Sequence, residues 1–111
     1  MQKKTLREVC NMVGVTRRAI QGYEKFGLVA SAGKNKYGYL LYDEEAIEKI
    51  RTIKQYQEFG FKVKEIKELL EASEEVYVEM MTAKLVVMKQ KFMELEANIS
   101  RMEELLSEKK R

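Results

Sequence analysis

The positions of hydrophobic residues predict helices over most of the chain. Near the amino terminus, apolar residues recur at the i, i+3, i+4 and i+7 spacing of one helix face. Thr5 precedes this stretch and Glu8 follows three residues later, in the pattern of a capping box, and Gly14 is a stop signal. The apolar face of this first predicted helix comprises Leu6, Val9, Cys10 and Val13.

A second short helix is predicted directly after the first. Thr16 is a good N-cap residue, and the helix is expected to run to about Phe26, where Gly27 ends it. Only a short turn containing Gly14 and Val15 separates the two helices. Two short helices joined by such a turn form a helix-turn-helix.

Two short apolar segments then flank a polar stretch. Leu28–Val29 and Tyr39–Tyr42 are predicted to be short strands, and the residues between them include two glycines, Asn35 and two lysines, which suit an exposed turn. This pattern predicts a β-wing. After it, Asp43 caps a third helix that ends near Gly60, and a fourth helix follows.

The longest predicted element starts at Ser73 and runs to about Ser107 without glycine or proline. Apolar residues occupy every a and d position of a heptad repeat through four heptads, which predicts a coiled coil. The preceding part of the chain is too small to cover a helix of this length, so a partner chain is expected. The predicted dimerisation residues, called the heptad face below, are Val78, Met81, Leu85, Met88, Phe92, Leu95, Ile99, Met102 and Leu106.

Charges beside the heptad face favour an antiparallel homodimer. A parallel pair would bring Lys84 against Lys89 of the partner but Lys91 against its Glu96, whereas an antiparallel pair brings Lys89 against a glutamate of the partner's second half. A second apolar stripe exists only on the first half of this helix and is expected to dock on the partner's head domain. Its members are Val76, Met80, Ala83 and Val87.

Positive charge is concentrated at the amino-terminal end. Residues 1–42 carry eight Lys or Arg and two Glu, a net charge of +6, although the whole chain carries only +3. The lone cysteine excludes an internal disulfide, and neither a signal peptide nor a run of apolar residues long enough to span a membrane is present. A cytoplasmic protein with a localised anionic partner is therefore expected.

The chemistry of the second helix and of the wing indicates double-stranded DNA as that partner. Arginine can bind guanine with two hydrogen bonds and glutamine can bind adenine, while Lys and Tyr can contact phosphates. A solvated basic face is the alternative for an isolated helix, but the turn and the wing disfavour it here. The predicted DNA-binding residues are Thr16, Arg17, Arg18, Gln21, Tyr23, Lys34, Lys36, Tyr37 and Tyr39.

At these residues the chain resembles the MerR family of bacterial transcription regulators. The match follows the segments Gly14–Arg18, Tyr23–Glu24 and Gly27–Leu28, continues through Gly38–Tyr39, Tyr42 and Asp43–Glu45, and ends with Phe59–Phe61 and Glu65–Ile66. It covers about residues 4–72. The resemblance implies an antiparallel dimer that binds and distorts a pseudo-palindromic promoter, with RNA polymerase as a possible partner. It also implies Arg18 in the DNA groove, Tyr23 on a phosphate, and Tyr37–Tyr39 on the flanking backbone.

Three positions depart from the family pattern. Gln21 and Gly22 stand where the family usually has an arginine and an aromatic residue, and Leu40 stands where it usually has an arginine after the wing. Gly22 also weakens a helix interior. Base preference and affinity are therefore expected to differ from those of typical members.

The sequence offers no site for a metal or a cofactor, and none is expected. There is no histidine, and Cys10 alone cannot form a thiolate site; a core position is expected for it, with redox sensing as the alternative. The methionines of the long helix fit packing better than a Cu(I) site, and a ligand pocket among Tyr77, Met80 and Phe92 is a further alternative.

These patterns together predict a mainly α protein. Residues 1–72 are expected to form a winged helix-turn-helix DNA-binding domain of four helices and a small wing, and residues 73–111 a long coiled-coil dimerisation helix. The leading interpretation is a homodimeric, sequence-specific transcription regulator, and the alternatives are an architectural or excision-type DNA-bending factor and a coiled-coil interaction protein. An enzyme is not expected, because no phosphate loop or paired acid and base is visible.

Overall fold

The computed structural model describes residues 2–110 and confirms the predicted mainly α fold class. The chain divides into two compact units, residues 1–71 and 72–111. The predicted domains include Met1 and Arg111, which lie outside the described residues. The elements in chain order are β1 (Lys4–Thr5), α1 (Leu6–Val13), α2 (Arg17–Lys25), β2 (Leu41–Tyr42), α3 (Glu44–Glu58), α4 (Val63–Glu71) and α5 (Glu74–Lys110).

The predicted signals define the ends of the helix-turn-helix. Thr5 and Glu8 form a complete capping box at α1, and Gly14 ends that helix with a left-handed backbone, φ +78°. The Thr16 hydroxyl accepts a hydrogen bond from the Ala19 backbone N at 3.0 Å and so caps α2. The turn between the two helices is thereby held at both ends.

The core of the first unit is built from the inner faces of its four helices. Val9 and Ile20 are fully buried between the helices of the helix-turn-helix and α3, which adds Ile50 and Ile53. The Lys54 ammonium donates a hydrogen bond to the Val13 carbonyl at 2.9 Å, which satisfies an otherwise free carbonyl at the end of α1. The carboxyl-terminal end of α1 is therefore anchored to α3.

The wing differs from its prediction. The expectation that Leu28–Val29 forms a strand is wrong: both residues are buried, but their backbone lies outside any strand. Instead, residues 32–34 pair with residues 40–41 and form the wing (residues 32–41), with a bridge between Lys34 and Leu40. β2 continues from the wing and pairs in antiparallel register with β1, Lys4 opposite Tyr42, which the sequence pattern did not predict.

The second unit contains the long helix α5. It begins where Ser73 was predicted to start it, because the Ser73 hydroxyl accepts a hydrogen bond from the Val76 backbone N at 3.2 Å. The helix extends three residues beyond the expected end near Ser107. None of its described residues is buried, so its apolar positions are available to a partner.

Candidate nucleic-acid interface

Helix α2 presents its predicted DNA-binding residues to solvent. Thr16, Arg17 and Arg18 are exposed at its amino-terminal end, and Gln21 is exposed one turn further on. Arg17 and Gln21 are four residues apart and therefore lie on the same side of the helix. In a helix-turn-helix these are the positions of the second helix that approach base edges in the major groove.

The wing presents two aromatic rings at its tip. The Asn35 side-chain oxygen accepts hydrogen bonds from the backbone N of Tyr37 and of Tyr39, at 2.9 and 3.0 Å, and Gly38 turns the chain with φ +83°. As a result Tyr37 and Tyr39 are 70% and 63% exposed, with ring centroids 6.4 Å apart. The Lys36 ammonium lies 5.2 Å from the centre of the Tyr37 ring. The tip is thus an ordered, cationic aromatic surface.

An open groove connects α2 with the wing. It brings Arg17, Gln21 and Tyr39 together, whereas Arg18, Lys34, Lys36 and Tyr37 are exposed on the same two elements outside it. The groove, called the α2–wing groove below, is lined by Thr5, Leu6, Arg7, Arg17, Gln21, Gly38, Tyr39 and Leu40.

Within residues 2–110, no ion pair neutralises the cations of this surface. Ion pairs among the described residues occur within α3 and α5, and none of them involves Arg17, Arg18, Lys34 or Lys36. These four cations therefore face solvent with their charge uncompensated, beside the two exposed aromatic rings. Such a surface suits a polyanion.

The prediction that Tyr23 contacts a phosphate is wrong for this structure. Its side chain is only 1% exposed, and its hydroxyl donates a hydrogen bond to Gln57 Oε1 in α3. Burial raises the pKa of Tyr23. Tyr23 is a core residue because it follows Ile20 by three positions, on the inner face of α2.

A second buried tyrosine anchors the same helix. The Tyr42 hydroxyl donates a hydrogen bond to the Glu24 carboxylate of α2. Burial and this bond to an anion raise the pKa of Tyr42 well above its ordinary value of 10. Neighbouring residues of α2 are therefore bonded to α3 and to β2, which sets the orientation of the helix.

One residue of the interface was missed by the sequence pattern. Arg7, in the first turn of α1, lines the α2–wing groove with Arg17. Its cationic side chain contributed to the charge count, but nothing in its spacing distinguished it from a solvated residue. Conversely, Cys10, expected in the core, is half-buried.

Other kinds of site receive no support from the described residues. No group of three His, Cys, Asp or Glu side chains in residues 2–110 could hold a metal ion. No helix in that range is both long and apolar enough to cross a membrane.

Comparison with protein families gives two matches. The model of the MerR HTH family regulatory proteins matches residues 4–73, and a model described as MerR, DNA binding matches residues 47–110. Relatives include the mercuric resistance operon regulatory protein of Bacillus cereus, 32% identical over 61% of this chain and 52% of that protein. The transcriptional activator mta of Bacillus subtilis is 30% identical over 62% of this chain and 27% of that protein. The chain thus spans about half the length of these relatives, or less.

Solved structures share the fold. A MerR family transcriptional regulator from Bacillus cereus superposes with a TM-score of 0.76 at 22% identity, covering 93% of this chain and 79% of the other. MtaN, the amino-terminal part of the Bacillus subtilis multidrug transporter activator, gives 0.66 at 26% identity, covering 90% and 97%. HiNmlR, a regulator lacking the sensor domain and bound to promoter DNA, gives 0.74 at 17%, covering 96% and 89%.

The family matches identify the family of the chain. Each of the two family models covers more than half of the chain. The two relatives described above are a regulatory protein and a transcriptional activator, and neither is described as an enzyme. The chain belongs to the MerR family of helix-turn-helix regulatory proteins.

Proposed function

We propose that the chain is a homodimeric transcription regulator that binds a pseudo-palindromic promoter site in a sequence-specific manner and distorts it. The observation that carries this proposal is the pairing of α2 with an ordered cationic wing across one groove. Base-reading side chains and backbone-binding side chains then act on the same stretch of duplex.

Within this interface the residues have different roles. Arg17, Arg18 and Gln21 lie at the end of α2 that enters a major groove, where Arg binds guanine and Gln binds adenine. Lys34 and Lys36 act as point charges on flanking phosphates, and Tyr37 and Tyr39 contact the backbone beside them. The Thr16 side chain caps the helix and so positions the residues that follow it.

The heptad face of α5 supports a dimer. Phe92 and Leu95 in its centre are 61% and 58% exposed in the single chain, and a second copy would cover them. An antiparallel coiled coil is proposed from the charges beside this face, with Val76, Met80, Ala83 and Val87 docking on the partner's head. A two-fold protein matches a two-fold DNA site.

A promoter role is favoured over a purely architectural one by the family matches, which describe regulatory proteins. A structural relative bound to promoter DNA shares this fold. RNA polymerase is therefore the proposed second partner. Transcription in vitro from the bound promoter separates the two roles, because a bending factor without a regulatory role would leave the transcript level unchanged.

The proposed division between base contacts and backbone contacts can be tested by two substitutions. Arg18→Ala is expected to reduce discrimination between the selected site and unrelated DNA by about 5- to 150-fold, because a base contact is lost. Lys36→Ala should weaken binding to both DNAs equally and reduce the slope of log K against log salt by about one. Equal behaviour of the two variants in fluorescence anisotropy titrations would contradict the assigned roles.

A further inference from the structure

The α2–wing groove contains a second guanidinium that the proposed recognition residues leave unexplained. Arg7 of α1 lines it together with Arg17 of α2 and the wing residues Gly38 and Tyr39. The lining residues include no carboxylate. The groove is thus a cationic surface shared by three elements.

The charge of Arg7 is free to meet an external anion. The Arg7 side chain is exposed and takes part in none of the ion pairs or side-chain hydrogen bonds found among residues 2–110. The adjacent Glu8 carboxylate accepts hydrogen bonds from the backbone N and the hydroxyl of Thr5, at 3.0 and 3.1 Å. Those bonds, above all the one from the backbone, lower the pKa of Glu8 and commit the carboxylate to the cap of α1.

The position of Arg7 in the motif indicates which part of DNA it meets. In a helix-turn-helix the second helix lies in the major groove, and the first helix crosses the sugar–phosphate backbone. Arg7 is in the first turn of α1, and the half-buried side chains of Leu6 and Leu40 lie beside it in the lining. A guanidinium binds a phosphate with strong, charge-assisted hydrogen bonds, often two in parallel.

We propose that Arg7 binds a backbone phosphate of the duplex in the α2–wing groove, between the recognition helix and the wing. The inference rests on the proposed function, because it places the same duplex against α2. It adds a contact from the first helix that carries no base information. Arg7 therefore contributes affinity and orientation rather than site preference.

The test is a comparison of Arg7→Ala with Arg101→Ala as the matched control. Arg101 is also exposed, and its guanidinium pairs with Glu104 at 2.9 Å within α5. Arg7→Ala is expected to weaken binding about tenfold, both to the selected site and to an unrelated duplex of equal length. The salt slope should fall by about 0.9, and Arg101→Ala should change neither quantity.

Further variants keep the outcome interpretable. Arg7→Lys retains the charge and should keep the wild-type salt slope, and thermal unfolding of Arg7→Ala should match wild type since the side chain makes no internal bond. A loss confined to the selected site would overturn the proposal, because it would make Arg7 a base-reading residue. An unchanged affinity for both duplexes would also overturn it.

Failure of the proposed function gives a different result. A wild-type protein that binds duplex DNA without sequence preference would refute a site-specific regulator. The effect of Arg7→Ala on the unrelated duplex would still be measurable in that case, and its presence or absence would decide the role of Arg7.

Discussion

Adjacent side chains of α2 are bonded to two different elements. Tyr23 donates its hydroxyl hydrogen to Gln57 of α3, and Glu24 accepts the hydroxyl hydrogen of Tyr42 in β2. Both tyrosine rings are buried. Because these bonds act at the carboxyl-terminal half of α2, they fix the angle at which Arg17 and Arg18 leave the protein surface.

The corrected role of Tyr23 leads to a prediction at the residue scale. Tyr23→Phe removes a hydrogen bond while keeping the ring, so the free energy of unfolding should fall by about 0.5–1.5 kcal/mol. The salt slope of DNA binding should not change, because no phosphate contact is lost. Denaturant unfolding and anisotropy titrations measure the two quantities.

The exposed wing residue Tyr39 provides the control. Tyr39→Phe should leave the free energy of unfolding within about 0.5 kcal/mol of wild type, since its ring faces solvent. A flatter salt slope in Tyr23→Phe would restore the phosphate contact first predicted for this residue.

The sequence predicted the helix-capping residues correctly, and it also contained enough information to predict that Tyr23 is buried. Thr5, Glu8, Thr16 and Asp43 cap their helices through hydrogen bonds between residues three positions apart, and sequence spacing encodes such short-range bonds. Tyr23 lies three positions after Ile20 and so shares the inner face of α2. This helical spacing is stronger evidence for burial than the presence of a hydroxyl group is for a phosphate contact. Arg7 could not be identified because its neighbours in the groove come from distant segments.

At the scale of elements, two glycines of the helix-turn-helix have opposite requirements. A Cβ added to Gly22 in α2 would meet no atom within 4 Å, and the backbone there is helical. A Cβ on Gly14 would lie 3.1 Å from Lys54 Nζ, on a backbone with φ +78°. Of these two positions, only Gly14 has a backbone conformation that favours glycine.

Gly22→Ala should therefore raise the free energy of unfolding by about 0.5–1 kcal/mol, because alanine reduces the freedom of the unfolded chain. Gly14→Ala is the opposing control and should lower it by about 1–2 kcal/mol, the cost of a left-handed alanine. Urea unfolding measures both changes. Destabilisation by Gly22→Ala would indicate that this position has a packing requirement absent from the structure.

The short strands in and beside the wing could not be predicted from the sequence. Leu28–Val29 has the composition of a strand, but its side chains fill the core from a loop. The strand pair that does form, Lys4–Thr5 with Leu41–Tyr42, has only two residues on each side. Segments that short carry no alternation of polar and apolar residues, so only the folded arrangement reveals their pairing.

For the whole molecule, the exposed heptad face of α5 makes self-association the main expectation. Phe92→Glu places a charge in the middle of that face and should convert the dimer to monomers in multi-angle light scattering. Ala97→Glu is the matched control, because Ala97 is exposed at an f position away from the face. A Phe92→Glu protein that remains dimeric would show that the heptad face is not the contact surface.

The most direct test of the account is a footprint of the wild-type protein on genomic DNA fragments, with the bound stoichiometry measured in parallel. The proposed function predicts protection of a two-fold symmetric site by two chains, with half-site centres about 34 Å apart on one face of the duplex. Salt-sensitive protection spread evenly along every fragment, with no preferred sequence, would contradict it.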